Sequence, residues 1–175
     1  RTIAFLLVVL WAGPLCAQTE PLIVGWTGPL TGSSAVLGID SVEAAKIAVE
    51  EFNAAGGVSG REVRLLVEDD QYDTAKGLTA YNKLVAQGAS AIVSPNYGLT
   101  LASGERLLRD KVILVNPLDC SETIAKLPEN TFCVATRTES VGEVIAAHLL
   151  KTNRLSTGVL FDERNPFMSE VARVI

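Results

Sequence analysis

The sequence predicts an α/β protein built on a parallel sheet with helices on both faces. Two observations carry that prediction. Short apolar runs of strand length alternate with amphipathic segments of helix length from Leu22 to about Lys151, the pattern of repeated βαβ units. The first unit passes from its apolar run to its helix through a long Gly-, Thr- and Ser-rich loop, residues 27–38, which puts a polar loop beside a helix N-terminus and leaves room for a small polar ligand. Composition agrees: 48% hydrophobic and 20% charged residues in a chain of 175 supply a core and exclude a disordered chain.

In order along the chain, residues 1–17 place Arg1 before the apolar run 3–11, then Gly13-Pro14 and Leu15-Cys16-Ala17. This is the layout of a secretory signal peptide cut after Ala17. Its apolar core is too short to span a bilayer, and an uncleaved anchor is the alternative. The chain starts without Met and stops inside a helical pattern, so it is read as part of a longer protein. Residues 22–26 form the first strand, bounded by Gly25 and the Gly28-Pro29 break. Asp40 with Glu43 predicts a capping box that opens a helix. Val42, Ala45, Ala48, Val49 and Phe52 lie on its inner face, and Gly56-Gly57 stops it.

Val63, Leu65 and Val67 alternate against Arg64 in a second strand, 63–68. Asp73 or Thr74 caps the next helix, with Leu78, Tyr81, Leu84 and Val85 inward and Gly88 at its end. A short buried strand at 91–94 precedes a helix at 100–109 bearing Leu101, Leu107 and Leu108. Strands follow at 112–115, closed by Asn116-Pro117, and at 132–135. Ser140 and Glu143 predict a second capping box and a helix through about Lys151, with a further strand at 159–161. Right-handed crossovers place the loops after the strands along one sheet edge, where ligands bind.

The net charge is −5, with no basic run, so nucleic acid is not an expected partner. His148 is the single histidine and stands late in an amphipathic helix; no metal set and no cofactor are expected. Gly25, Gly28 and Gly32 do not fit a dinucleotide fingerprint, and no phosphate loop, nucleophile elbow or Cys–His pair is present. Asp69 and Asp70 read as loop-capping carboxylates rather than acid–base groups. No enzyme is expected; an α/β enzyme stands as a third reading that turnover of a ligand would revive.

Three motifs form an ordered set: Gly-Pro-Leu-Thr-Gly at 28–32, Glu-Glu-Phe-Asn-Ala-Ala-Gly-Gly-Val-Ser-Gly at 50–60, and Glu-Asp-Asp at 68–70. Behind a signal peptide, this set resembles the opening of the type I periplasmic binding proteins of the leucine/isoleucine/valine-binding family. The resemblance implies a first α/β lobe at 18–137 and the start of a second at 138–175, with a hinge near 135–138. It also implies that the loops after the third and fourth strands hold an amino-acid head group.

Carried over by position, the residues so implied are Tyr97, Gly98, Leu118, and Cys120 or Ser121. Leu37 stands where that family often presents an aromatic side chain, and Phe167 is one position displaced from another. Tyr97-Gly98 replaces a usual Ser-Ser pair, and Cys120 replaces a usual threonine. In these loops Asp119 is the candidate anion for a ligand ammonium. Each has a plainer alternative: Tyr97 packed on its own loop, Asp119 as a turn residue, Ser121 as the N-cap of the next turn.

Once Cys16 leaves with the signal peptide, Cys120 and Cys133 remain as an even pair in an oxidising compartment. A disulfide between them is expected, with two buried thiols as the alternative. The function so implied is an extracytoplasmic solute-binding protein of the periplasm. It would capture a small polar ligand, amino acids favoured, and hand it to an ABC permease in the membrane. The alternative is the extracellular sensing domain of a signalling receptor.

Overall fold

The computed structural model describes residues 20–154, 156–163 and 165–175; the signal-peptide expectation for 1–17 falls outside them. Five strands form one parallel sheet: β1 (Leu22–Gly28), β2 (Val63–Asp69), β3 (Ala91–Val93), β4 (Ile113–Asn116) and β5 (Thr131–Cys133). Around them lie α1 (Val36–Ala54), α2 (Thr74–Ala86), α3 (Tyr97–Asp110), α4 (Glu122–Ala125), α5 (Thr138–Lys151) and α6 (Pro166–Val174). The strand order is β2-β1-β3-β4-β5. The chain therefore steps from β1 outward to β2, then crosses back to β3 on the other side. Right-handed crossovers put α1 on one face and α2 and α3 on the other. Where the two directions diverge, between β1 and β3, the loops part and leave a crevice.

The main core lies under α2 and α3. Tyr81, Leu84, Leu99, Leu107, Ile92 and Leu114 are fully buried there, with Leu78 and Val85 packed against them, as the helical spacing predicts. The opposite face buries Trp26 and Val42, and Trp26 Nε1 donates to Ser41 Oγ of α1 at 3.3 Å. Asp73 is the α2 cap, its carboxylate accepting from Lys76 N–H at 2.9 Å.

Several expected boundaries move. α1 starts at Val36, so Asp40 and Glu43 lie inside it and form no capping box; Glu43 pairs with Lys46 at 2.6 Å instead. Gly38 allows the early start, because a Cβ there would sit 1.8 Å from the Pro29 carbonyl oxygen. The first turn thus packs directly on the end of β1. Phe52, expected inward, is 55% exposed.

α3 starts at Tyr97 rather than near residue 100, capped by Asn96, whose side chain accepts from Leu99 N–H at 3.0 Å. α5 starts at Thr138, and Ser140 N–H already donates to the Arg137 carbonyl, so the Ser140–Glu143 box does not form. β5 ends at Cys133, and residues 159–161 are exposed and belong to no strand or helix. No strand lies beside them among the described residues, and an apolar run without a hydrogen-bonded neighbour is not a strand. The Ser121 N-cap opens the single turn α4.

Candidate functional site

The loops at the carboxyl ends of β1, β2 and β3 are joined by two carboxylates. Asp69 Oδ1 accepts from Leu30 N–H at 2.8 Å and Gln71 N–H at 3.0 Å, and Oδ2 takes the Thr31 hydroxyl. Burial pushes this carboxyl up, but the hydrogen bonds from Thr31, Leu30 and Gln71 together hold it below the usual range. Asp70 is fully buried. Its Oδ1 accepts from Tyr72 N–H at 2.8 Å, and its Oδ2 from Asn96 Nδ2 at 3.0 Å and Thr27 Oγ1 at 3.4 Å. Burial raises its pKa against those bonds. One side chain thus ties β1 and the loop after β2 to the residue that caps α3.

Above this scaffold lies a cleft of about 580 Å³. Ser33 and Ser34 line it from the first loop, Gln71 to Ala75 from the second, Asn96, Tyr97 and Gly98 from the third, and Asp162, Asn165 and Pro166 from the approach to α6. Tyr97 and Gly98 are the first two residues of α3, where amides lack acceptors within the helix. The Tyr97 amide meets the Tyr72 hydroxyl. No acidic residue stands in the first turn of α3 itself; the Asp70 carboxylate is held on the Asn96 cap below the cleft. A Cβ on Gly98 would lie 2.0 Å from Thr74 Oγ1; glycine is what lets α2 and α3 meet at the cleft.

Of the residues expected from sequence, the structure brings only Tyr97 and Gly98 to the lining. Leu37 lies in the first turn of α1, 46% exposed, and Leu118 is 43% exposed at a loop tip. Phe167 sits behind the cleft wall, its ring edge-on to Tyr97 at 6.4 Å between centroids. Tyr97 itself is 1% exposed, packed across loops rather than on its own. Its hydroxyl lies 2.7 Å from Ser121 Oγ. Ser121 is indeed an N-cap, accepting from Ile124 N–H at 3.2 Å, so its hydroxyl is engaged twice.

Cys120 is bonded to Cys133, as expected, which leaves it no S–H to donate. Asp119 is 2% exposed, and its Oδ2 has no partner. Burial raises its pKa to about 6, and its charge in turn helps raise that of Tyr72. It is not among the residues that line the cleft.

Asp70 caps its loop as the sequence reading has it, but its reach to Asn96 and Thr27 was not foreseen, and Asn96 and Tyr72 were missed. Asn96 did carry a signal, an N-cap residue directly before a helix. Tyr72 carried none: it holds a left-handed backbone at φ 60, which only the loop's hydrogen bonds impose. Among the described residues no cluster of His, Cys, Asp and Glu suits a metal, and no helix is long and apolar enough to cross a membrane.

The family model described as periplasmic binding protein matches residues 21–175. The Leu/Ile/Val-binding protein homolog 2 of Brucella abortus (strain 2308) is 26% identical over 148 residues, covering 83% of this chain and 40% of that protein. The Leu/Ile/Val-binding protein BraC3 of Rhizobium johnstonii is 30% identical over 132 residues, 74% of this chain and 36% of the other. Among solved structures, the branched-chain amino acid transporter substrate binding protein LivJ from Streptococcus pneumoniae, in complex with isoleucine, aligns with a TM-score of 0.76. Its identity is 25%, over 88% of this chain and 45% of that one. The chain spans about two fifths of the length of the curated relatives it matches.

Proposed function

Because this chain belongs to the periplasmic binding protein family, we propose that it captures a small polar ligand outside the cytoplasm, an amino acid or a close relative, for an ABC permease. Binding is the function and no chemistry is done on the ligand. The observation that carries this reading is the cleft at the divergence of β1 and β3, where the start of α3 meets the Ser33, Ser34 and Thr74 hydroxyls. A ligand carboxylate fits there, taken by the Gly98 amide and those hydroxyls, because helix-end donors and the helix dipole both favour an anion.

The ammonium belongs to the field of Asp119, the buried carboxylate without a partner behind Tyr72 and Tyr97. Asp119 is not part of the cleft lining, and Tyr97, which is and whose hydroxyl contacts Ser121 close to Asp119 in the chain, is assigned as the gate to the cationic end of the site. Closure of a second lobe about residues 135–138 would then seal the ligand and present the closed form to the permease.

Calorimetry on the full-length protein against a panel of amino acids and of aliphatic and aromatic acids tests this. An α-amino acid should bind, and Asp119→Asn should weaken it by roughly ten- to a hundred-fold. Binding should also weaken as pH falls below about 6, where Asp119 takes up a proton. Binding only of acids without an amino group would overturn the amino-acid reading.

A further inference from the structure

The loop after β4 carries Asp119, Cys120 and Ser121 in succession, and it is tied at its middle residue. Cys120 is bonded to Cys133 across a Cα separation of 5.4 Å. Its carbonyl accepts from Thr138 N–H at 2.6 Å, and it forms a parallel bridge with Arg137. Cys133 ends β5 in register with Asn116, which ends β4. The Asn116 side chain accepts the N–H groups of Leu118 and Asp119, each at 2.9 Å. The disulfide therefore closes a ring around the end of β4.

That ring decides which way the neighbours face. In extended backbone successive side chains point to opposite sides. With the Cys120 sulfur drawn toward β5, Asp119 and Ser121 turn the other way, where Ser121 meets Tyr97 and Asp119 is buried. A carboxylate without a partner in such a place is unfavourable, and a loop free to move would carry it into water. The tie that opposes this is not β5 alone, an edge strand of three residues paired on one side.

We propose that the Cys120–Cys133 disulfide is a positioning device for the ligand loop, holding the Asp119 carboxylate inside and unpaired for the ligand's cationic group. The ligand half of this inference rests on the role given to Asp119 under the proposed function; the holding of Asp119 does not. The ionisable groups within electrostatic reach of Asp119 are Tyr72 and Tyr97, with Asp70 acting on Tyr72 and Glu170 on Tyr97. None of these is a cation, so a change in Asp119 titration reports its burial rather than a lost salt bridge.

The test is an NMR titration of the Asp119 side-chain carboxyl in the full-length protein and in its C120A/C133A double variant. Calorimetry with L-leucine as probe runs beside it. In the variant Asp119 should titrate at least one pH unit lower, toward an ordinary carboxylate, and L-leucine affinity should fall at least tenfold while the sheet persists. If the variant does not fold, the folded native protein is reduced and alkylated and titrated in the same way. An Asp119 titration that ignores the state of the disulfide overturns the proposal. If the titration moves as expected but Asp119→Asn leaves L-leucine binding unchanged, the ammonium role fails and the ligand half of this inference fails with it; the holding of Asp119 by the disulfide is then upheld.

Discussion

The hydroxyl of Tyr97, at the start of α3, lies 2.7 Å from that of Ser121, the N-cap of α4. Both side chains are buried, so the loops after β3 and β4 are locked together by one short contact. Tyr97→Phe should lower stability by about 1 kcal/mol and Ser121→Ala by about 1–2 kcal/mol, the latter losing the cap as well. A double-mutant cycle by urea denaturation should find a coupling of at least ~0.5 kcal/mol; additive single effects would show the contact to be idle.

Asp119 works against folding at neutral pH. Its folded pKa, about 6, stands above the ordinary value of 3.8 for an aspartate, so the folded state binds more protons between those values. Stability contributed by that proton is present at low pH and is lost as pH rises through about 6. Asp119→Asn should therefore stabilise the ligand-free protein at pH 7–8 by on the order of 1–3 kcal/mol and flatten its stability between about pH 4 and 6. Melting curves across pH read this directly; an unchanged slope would mean the carboxylate is solvated.

Asp70 should be the more damaging position. Asp70→Ala removes the acceptor of the Tyr72 amide and leaves the Asn96 Nδ2 only its longer bond to the Asp73 carbonyl, at a cost of roughly 1–3 kcal/mol. Asp70→Asn keeps an acceptor for one of them and should lose less. Hydrogen exchange should show the start of α3 opening first; a loss spread evenly over the sheet would contradict the scaffold role.

Gly98→Ala should cost about 1–3 kcal/mol, because its Cβ would lie 2.0 Å from Thr74 Oγ1. Thr74→Ala in the same chain should recover much of that loss, since it removes the atom in the way. Failure of the second change to rescue the first would locate the strain elsewhere.

Along α5, Val144 and Leu150 are more than two-thirds exposed, with Val141 and Ile145 beside them. An apolar stripe of this kind drives association when nothing covers it. Residues 18–175 expressed alone should self-associate, and Val144→Lys with Leu150→Lys should raise the monomer fraction in analytical ultracentrifugation. A monomer without those changes would refute the idea.

Much of the fold was legible because hydrophobic periodicity reports burial directly. Tyr81 and Leu84 repeat at helical spacing, and Ile92 sits in a short apolar run; all three are core. Helix starts were misread where the deciding contact was distant. The Asp40–Glu43 box is a sound local signal, yet Gly38 against the Pro29 carbonyl began α1 earlier. Of the residues that line the cleft, Tyr97 and Gly98 were named from sequence, whereas Tyr72 was not, and Asp70 was read only as a local loop cap. Their roles come from Asn96 and Thr27, which lie 26 and 43 residues away from Asp70 in the chain.

By itself, then, the sequence determined the parallel α/β sheet and its helices, and it left the bond between Cys120 and Cys133 as an expectation that the structure bears out. Those follow from period, turn residues and cysteine count, all local or additive. Only the tertiary structure decided that Asp119 is buried without a partner, that Ser121 is spoken for by Tyr97, and that the second loop supplies more of the cleft than the fourth. Side-chain burial and hydrogen-bond pairing depend on which distant backbones converge, and no single segment encodes that meeting.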